Sequence, residues 1–562
     1  METSNQVMEI KKRVLKRVHA LESEFDQNGW RSHYNDLSTF LLNRRGRYLK
    51  SKDYTPNDGG KMNGEINNGS PEEAVHTSAA GMMGGFTSPS IPWFHLVPAD
   101  DGLRDFRPVR DYLWRQQARM YEFFAQSNWY SVLPSVYKEL NVFGTAAMRM
   151  DGHPTRAFHC TQHTAGSYYL ASGPDGFVDT CVYRYPRTVR QLVRLYGEEG
   201  VSISTRTRAK NDEWDVWVKC LNVIETNEGR DRKFSDWRGM RYRSITMEED
   251  TEDHEGVLKM GGFNVFPTLT PRTDRHSEDV YGSSRGMRAL PDARQIQLTE
   301  MRGNEALLKM LRPTLNIPAG MRRATVQAGR NNVYHGQNSD AIRPTFTTAF
   351  PYSETRDAIG TLEARVRETL GANVFQQFAV LDATGNHNMT VPEVMERRAE
   401  KMVLLGPTQQ SVHMELLIPA IELAWFYMGE NGDIEEPPPE LSEVPLKVEF
   451  TSQLALAQRS VVTSGIETYA QQLANLAQFW PEILDRFDPD KAATHLQQGY
   501  LTPPEIMRED GAVEEIRGQR AEAQAQAQAA EQQAVDAQTA QQLGNAPIGE
   551  GNALEAVLGA EQ

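Results

Sequence analysis

Cysteine is scarce: Cys160, Cys181 and Cys220 are the three in 562 residues, and they make no CxxC pair. An odd, sparse set excludes a disulfide framework and reads as free thiols in a reducing compartment. Long apolar runs are missing too. No stretch approaches the ~20 uncharged apolar residues of a membrane-spanning helix. The opening segment METSNQVMEIKKRVLKRVHALESEF interleaves charge with Ile10, Val14, Leu15, Val18 and Leu21. That pattern predicts an amphipathic helix, without the apolar centre of an export signal. The expectation is a protein made and kept in the cytosol, or assembled there into something larger, with no membrane partner. Positive charge is short as well: 60 Lys and Arg face 75 Asp and Glu, for a net −15. This balance opposes tight, sequence-neutral DNA binding, which rests on many phosphate contacts. It leaves room for a local basic patch, or for an acidic surface past which DNA slides. Enzyme signatures are missing: there is no GxxxxGK[ST], no HExxH, and no dedicated pair of catalytic carboxylates stands out.

What is present divides into regions. At 562 residues the chain exceeds one core, so two to four domains are expected. Residues 1–140 look mainly helical, with helices near Glu72–Met83 and over 104–127. Between them Gly and Pro break the helix, and Trp93 and Phe94 resume an extended path. From about 155 to 280 the pattern becomes mixed. SYYLASGPDGFVDTCVYRY predicts two strands around a Gly-Pro-Asp-Gly turn, and EWDVWVKCLNVIET another strand. RTVRQLVRLYG predicts a short helix, capped by Thr188 and stopped at Gly197. Residues 287–312 predict a helix interrupted early by Pro291. A Gly, Pro, Asn and Thr-rich excursion follows, then a second helix with Ser353 as its cap. Further helices run to about 487, divided by an acidic, proline-rich loop and a strand-like LKVEF. From about Leu501 the chain is Ala/Gln-rich, with strong helix formers and almost no large apolar residue. That tail is either a solvated, oligomer-supported or frayed helix, or a low-complexity flexible end. The class is α+β, mainly α.

Three motifs invite chemistry. Gly282-Ser283-Ser284-Arg285-Gly286 matches G-x-S-x-G, but the preceding RHSEDVY is too charged for the buried strand of a nucleophile elbow. A Ser/Gly-rich hinge is the expected role. His159, Cys160 and His163 match no zinc spacing, and neighbours on a strand point to opposite faces. Arg322, Arg323 and Arg330 lie in the excursion, as solvated loop residues or as contacts for an acidic partner or phosphates.

The stretch NMTVPEVMERRAEKMVLLGP carries the signals of a helix with both ends marked: Thr390 three residues before Glu393, Pro392 in the first turn, Gly406-Pro407 at the end. Val391, Met395, Ala399 and Met402 make an apolar stripe. Glu396 and Glu400 gather on one flank, Arg397 and Lys401 on the other. In a closed ring every subunit shows a different face to each neighbour, and opposite flanks would fix that polarity. Pairing within the helix, such as Glu393 with Arg397, accounts for the same charges at ~0.2–0.5 kcal/mol.

The segments SPSIPWFHL, YGSSRGMRALPDARQI, NHNMTVPEVMERRAEKMVLLGP and VEFTSQLALAQR occur in this order across residues 30–490. In this the chain resembles the portal, or head-to-tail connector, proteins of short-tailed, T7-like bacteriophages. One departure is Gly-Ser-Ser-Arg-Gly after Tyr281, where the family usually has Gly-x-Gly-Pro. The resemblance implies a portal fold: N-terminal helices and wing over 1–286, a stem helix over 287–312, a clip over 313–352, and a second stem helix over 353–373. A tunnel loop would span 374–390, with Asp382, Asn386, His387 and Asn388 facing the channel. Wing and crown helices would fill 391–500, and a crown helix with flexible tail 501–562. It implies a homo-oligomeric ring, usually of twelve, at one capsid vertex of the virion, made in the host cytoplasm. Double-stranded DNA would pass through it. The terminase large subunit, tail adaptor proteins, major capsid and scaffold proteins, and internal core proteins would be its partners. The clip arginines would meet the motor or adaptor, and Glu396, Glu400, Arg397 and Lys401 the neighbouring subunits. No cofactor, metal or catalytic residue is implied. A monomeric virion adaptor or scaffold, and a nucleic-acid-processing enzyme, are the alternatives. The mass and projection image of the purified chain, and a metal-dependent nuclease assay, separate them.

Overall fold

The computed structural model describes residues 2–51, 64–104, 106–153, 157–251, 256–312, 351–372, 408–441, 444–450, 453–477, 479–499 and 510–545, with residue 508 and the short pieces 315–316, 343–344, 547–548 and 551–552. Two compact units divide the chain, Met1–Gln458 and Arg459–Gln562.

The first unit begins with α1 (Glu2–Gln27), whose apolar stripe is buried at Val14, Val18 and Phe25. Gly29, at φ 81°, turns the chain into α2 (Trp30–Leu41), and α3 (Arg47–Lys50) follows. Next come α4 (Ser70–Phe86), β1 (Phe94–Pro98), α5 (Arg107–Gln126) and α6 (Trp129–Phe143). The extended path expected at Trp93 and Phe94 becomes β1 from Phe94 on. It pairs antiparallel with the strand Leu446–Phe450, so the strand-like LKVEF is a strand.

Two antiparallel sheets make up the mixed region. In the smaller one, β2 (Ala147–Gly152) lies between β3 (Phe158–His163) and β9 (Thr268–Leu269). The larger is a five-stranded meander of β4 (Tyr168–Ser172), β5 (Val178–Thr188), β6 (Trp217–Thr226), β7 (Tyr242–Glu248) and β8 (Val257–Phe263). Between β5 and β6 sit α7 (Val189–Tyr196) and α8 (Ile203–Lys210). Thr188 caps α7 in a capping box with Gln191, and Gly197 ends it, both as the sequence predicts.

Two long helices follow, α9 (Arg285–Leu311) and α10 (Tyr352–Thr369). Arg285 approaches Gly371 and Asp292 pairs with Arg365, so the two run antiparallel. Pro291 does not interrupt α9. It sits inside a continuous helix, although proline costs an interior position ~3 kcal/mol. Ala289, Leu290, Ala293 and Ile296 around it are buried, and that packing outweighs the lost backbone bond. Ser353 does not cap α10. Pro351 holds the cap position, and Ser353 lies within the first turn. The helix Ile418–Asn431 completes the core of the unit, packing with α5, α6 and β2 residues around Trp129, Met148 and Phe158.

The second unit holds the helices Pro489–Gly499 and Asp510–Asn545. Arg517 grips Asp490 with both terminal nitrogens, at 2.8 and 2.6 Å. The Ala/Gln segment is helical, and its described side chains are almost all exposed. That matches a sequence with no apolar face to bury.

Candidate functional site

The start of α9 is held by hydrogen bonds between hydroxyl side chains and backbone groups. The Ser284 hydroxyl donates to the Val142 carbonyl at 2.6 Å and accepts from the Met287 N–H at 2.9 Å. Gly282 N–H donates to Thr145 Oγ1 at 2.9 Å, and Thr273 Oγ1 donates to the Ser283 carbonyl at 2.8 Å. A Cβ on Gly286 would stand 2.7 Å from the Val142 oxygen, so only glycine lets α9 approach α6 here. Ser284 is 1% exposed. It is a buried helix cap, not the hinge its Gly-Ser surroundings suggest. With its hydroxyl held between two backbone groups, it is not presented as a nucleophile either.

The two long helices are tied to the rest of the unit by polar contacts. The Gln297 side chain accepts from Asn67 and Asn68 N–H at 2.7 and 2.9 Å and donates to the Asn68 carbonyl at 2.6 Å. Asn68 Nδ2 reaches Glu363 on α10 at 2.8 Å. Ser78 Oγ donates to the Leu370 carbonyl at 2.7 Å and accepts from Asn141 at 2.8 Å. The N-terminal half of α9 is thus anchored. Its C-terminal half is different. Leu298, Met301, Leu307, Leu308, Met310 and Leu311 are all exposed, Leu311 by 66%. Leu298, Met301 and Leu308 share one helical face. Exposed Arg302, Glu305 and Lys309 stand among them.

His159, Cys160 and His163 lie on β3, as strand side chains. His159 is exposed, while Cys160 and His163 are buried on opposite faces. Burial, and then Asp151, raise the Cys160 pKa. Burial, and then Arg149, hold the His163 imidazole neutral, with a pKa lowered to about 3. No cluster among the described residues could hold a metal ion.

Buried charge among the described residues includes three pairings distant in sequence. Arg272 and Glu415 pair at 2.5 Å. Glu22 takes two bonds from Arg184, at 2.8 and 3.0 Å. Glu139 on α6 is fully buried, 3.5 Å from Arg45, and burial pushes its pKa to about 7 against the pull of that arginine. The sequence reading found none of these. Their partners are far apart in the chain, and a lone Arg or Glu carries no local signal of its mate.

The residues the sequence singled out as sites, Arg322, Arg323, Arg330, Asp382, Asn386, His387, Asn388, Glu396, Arg397, Glu400 and Lys401, lie outside the described residues. None of the described helices is long and apolar enough to cross a membrane.

The chain is 32% identical to the portal protein of Salmonella phage epsilon15 over 560 residues, covering 98% of both chains. It is 33% identical to the probable portal protein of Bordetella phage BPP-1 over 547 residues, 97% of both. The neck of an empty gene transfer agent particle matches 72% of this chain and 87% of its own at 11% identity, with a TM-score of 0.31, too loose a likeness to bear on the fold. The family of bacteriophage head to tail connecting proteins matches residues 11–507, well over half of the chain, and the chain belongs to it.

Proposed function

We propose that the chain works as a portal subunit, closing with its own copies into a ring of twelve at one capsid vertex of the virion, where head meets tail. The ring gives double-stranded DNA its channel for packaging and ejection. The observation that carries this reading is the near-full-length similarity to two phage portal proteins. The exposed apolar half of α9 supports it, since a ring would cover that surface with neighbouring subunits. On this reading residues 1–286 form the wing, α9 and α10 the stem, 313–352 the clip, 374–390 the tunnel loop, and the rest wing, crown and tail. Asp382, Asn386, His387 and Asn388 face the channel. Arg322, Arg323 and Arg330 in the clip meet the terminase large subunit, and later the tail adaptor. Capsid, scaffold and internal core proteins surround the ring, which acts as passage and docking platform without catalysis.

The test is the mass and projection image of the purified full chain. Rings with a central hole are expected. Monomers under all salt conditions, including in protein recovered from assembled heads, overturn the reading.

A further inference from the structure

Two packed sheets ordinarily fill the space between them with apolar side chains. In the mixed region one such space is polar. Tyr183, Asn222, Thr246 and Lys259 stand in register across β5, β6, β7 and β8, in a single row on one face of the meander. Tyr185 and Arg187 continue that face along β5. From the smaller sheet, Arg149, Asp151, Thr161 and His163 line the same cavity, of about 370 Å³.

The charges are unbalanced. Three cations, Arg149, Arg187 and Lys259, share the cavity with one carboxylate, Asp151, in a chain of net charge −15. Arg149 spends Nε on Asp151 and Nη1 on Asn222 Oδ1, both at 2.8 Å, which fixes its guanidinium in place. Asn222 is itself held by donating to Thr246 Oγ1 at 2.8 Å. Among the described residues, neither Arg187 nor Lys259 is paired with a carboxylate. Three like charges around one hollow repel one another, and a bound anion would relieve that cost.

Aromatic groups make up part of the wall. His163 stacks on Tyr183 at 3.6 Å, Tyr183 on Tyr185 at 5.2 Å, and the Arg187 guanidinium lies 5.5 Å from the Tyr185 ring centre. These aromatic groups are tied to one another and to Arg187, and Tyr196 lines the cavity beside them. What the lining holds in excess is positive charge.

We propose that this inter-sheet cavity binds the phosphate group of a small molecule, held by Arg149, Arg187 and Lys259. A phosphate dianion matches the two-charge excess, and its tetrahedral oxygens accept from donors converging from β2, β5 and β8. The volume suits a phosphate with a small attached group and is at the small end for ligand pockets. A duplex does not fit within it.

Isothermal titration of the full chain, as purified, tests this with three probes: inorganic phosphate, dAMP and a short DNA duplex. Binding heat is the readout, because phosphate raises melting temperatures generally by surface exclusion. Phosphate and dAMP are expected to saturate at one per chain. In the double variant Arg187→Gln/Lys259→Gln their affinity falls at least tenfold. Both side chains are exposed, so this variant is expected to keep the parent's circular dichroism and melting temperature. Three results overturn the proposal: no saturable phosphate binding at millimolar concentration, equal binding by parent and variant, or binding of the duplex alone. A parent blind to phosphate whose double variant no longer assembles assigns the cavity to an acidic side chain of another chain, and overturns it too.

Discussion

Arg272 and Glu415, 143 positions apart in the chain, meet as a buried ion pair in which the guanidinium is 1% exposed. The carboxylate also accepts from the Arg272 backbone N–H at 2.8 Å, while Arg272 Nη2 donates to the Gly176 carbonyl at 2.8 Å. One contact thus joins the end of the smaller sheet, the β4–β5 turn and the helical segment leading to Ile418. Glu415→Ala leaves a buried, uncompensated guanidinium and is expected to cost ~3–5 kcal/mol. Arg272→Met/Glu415→Leu removes both charges and is expected to recover part of that loss, though not the bond to Gly176. Urea unfolding of parent, single and double variants measures the difference. A double variant less stable than Glu415→Ala would show that the pair's packing matters more than its charge.

Ser284 is expected to matter to stability and not to chemistry. Ser284→Ala removes the cap of α9 and leaves the buried Val142 carbonyl without its donor. The loss is ~1–2 kcal/mol. Ring formation and phage production are expected to survive it at moderate temperature, with a lowered melting temperature. Unchanged melting together with lost packaging would assign Ser284 a role beyond the cap.

Two glycines separate strain from space. Gly144 and Gly432 both sit at φ 77°. A Cβ on Gly144 would lie 2.3 Å from the Gly282 carbonyl oxygen, whereas Gly432 has open space. Gly432→Ala is expected to cost only the ~1 kcal/mol of a left-handed backbone. Gly144→Ala adds a backbone clash at the junction of α6 and α9, and is expected to unfold at clearly lower temperature. Equal melting temperatures for the two would mean that the junction yields.

Glu139 predicts a pH dependence. Burial raises its folded pKa to about 7, from an ordinary value of 4.5. A carboxyl with a raised folded pKa holds its proton longer in the folded state than in the unfolded one. Its contribution to stability is therefore full below pH 4.5, falls as pH rises through that window, and levels off above pH 7. The whole change is on the order of 3 kcal/mol. Glu139→Gln is expected to flatten that slope, as read from denaturation midpoints between pH 5 and 8. A variant that keeps the parent's slope would place the titration elsewhere.

Local signals were legible in the sequence, and contests between local and distant forces were not. The ends of α7 follow from Thr188, Gln191 and Gly197, all within the helix or beside it. The β4–β5 hairpin follows from Gly-Pro-Asp-Gly between two apolar runs. Pro291 was misread because its local cost is real, and what overrides it is the burial of Leu290 and Ile296 against distant elements. Ser284 was misread because glycines beside a serine look mobile, while their tightness comes from Val142 and Thr145, some 140 residues earlier. The polar cavity was invisible for the same reason. Tyr183, Tyr185 and Arg187 alternate as on any strand, and only the register across four strands gathers them with Lys259.

The helix read from 390–406 gives the last prediction, on sequence grounds and on the proposed ring. Glu396 and Glu400 fall on one flank of its apolar stripe, Arg397 and Lys401 on the other. A single exposed pair contributes ~0–1 kcal/mol and is screened by salt. On the proposed ring, repetition at every junction, with each pair partly desolvated, would let the sum bias assembly. Glu396→Lys/Glu400→Lys sets like charges against each other and is expected to impair ring formation. Adding Arg397→Glu/Lys401→Glu in the same chain restores opposite charges at the junction and is expected to recover rings in part. Either flank reversed alone is expected to suffer most at low salt, where repulsion is least screened. Light scattering across a salt series reads the outcome. If all three variants form rings like the parent at low ionic strength, the flanks only solvate the helix and pair within it, and the polarity of the ring is set elsewhere.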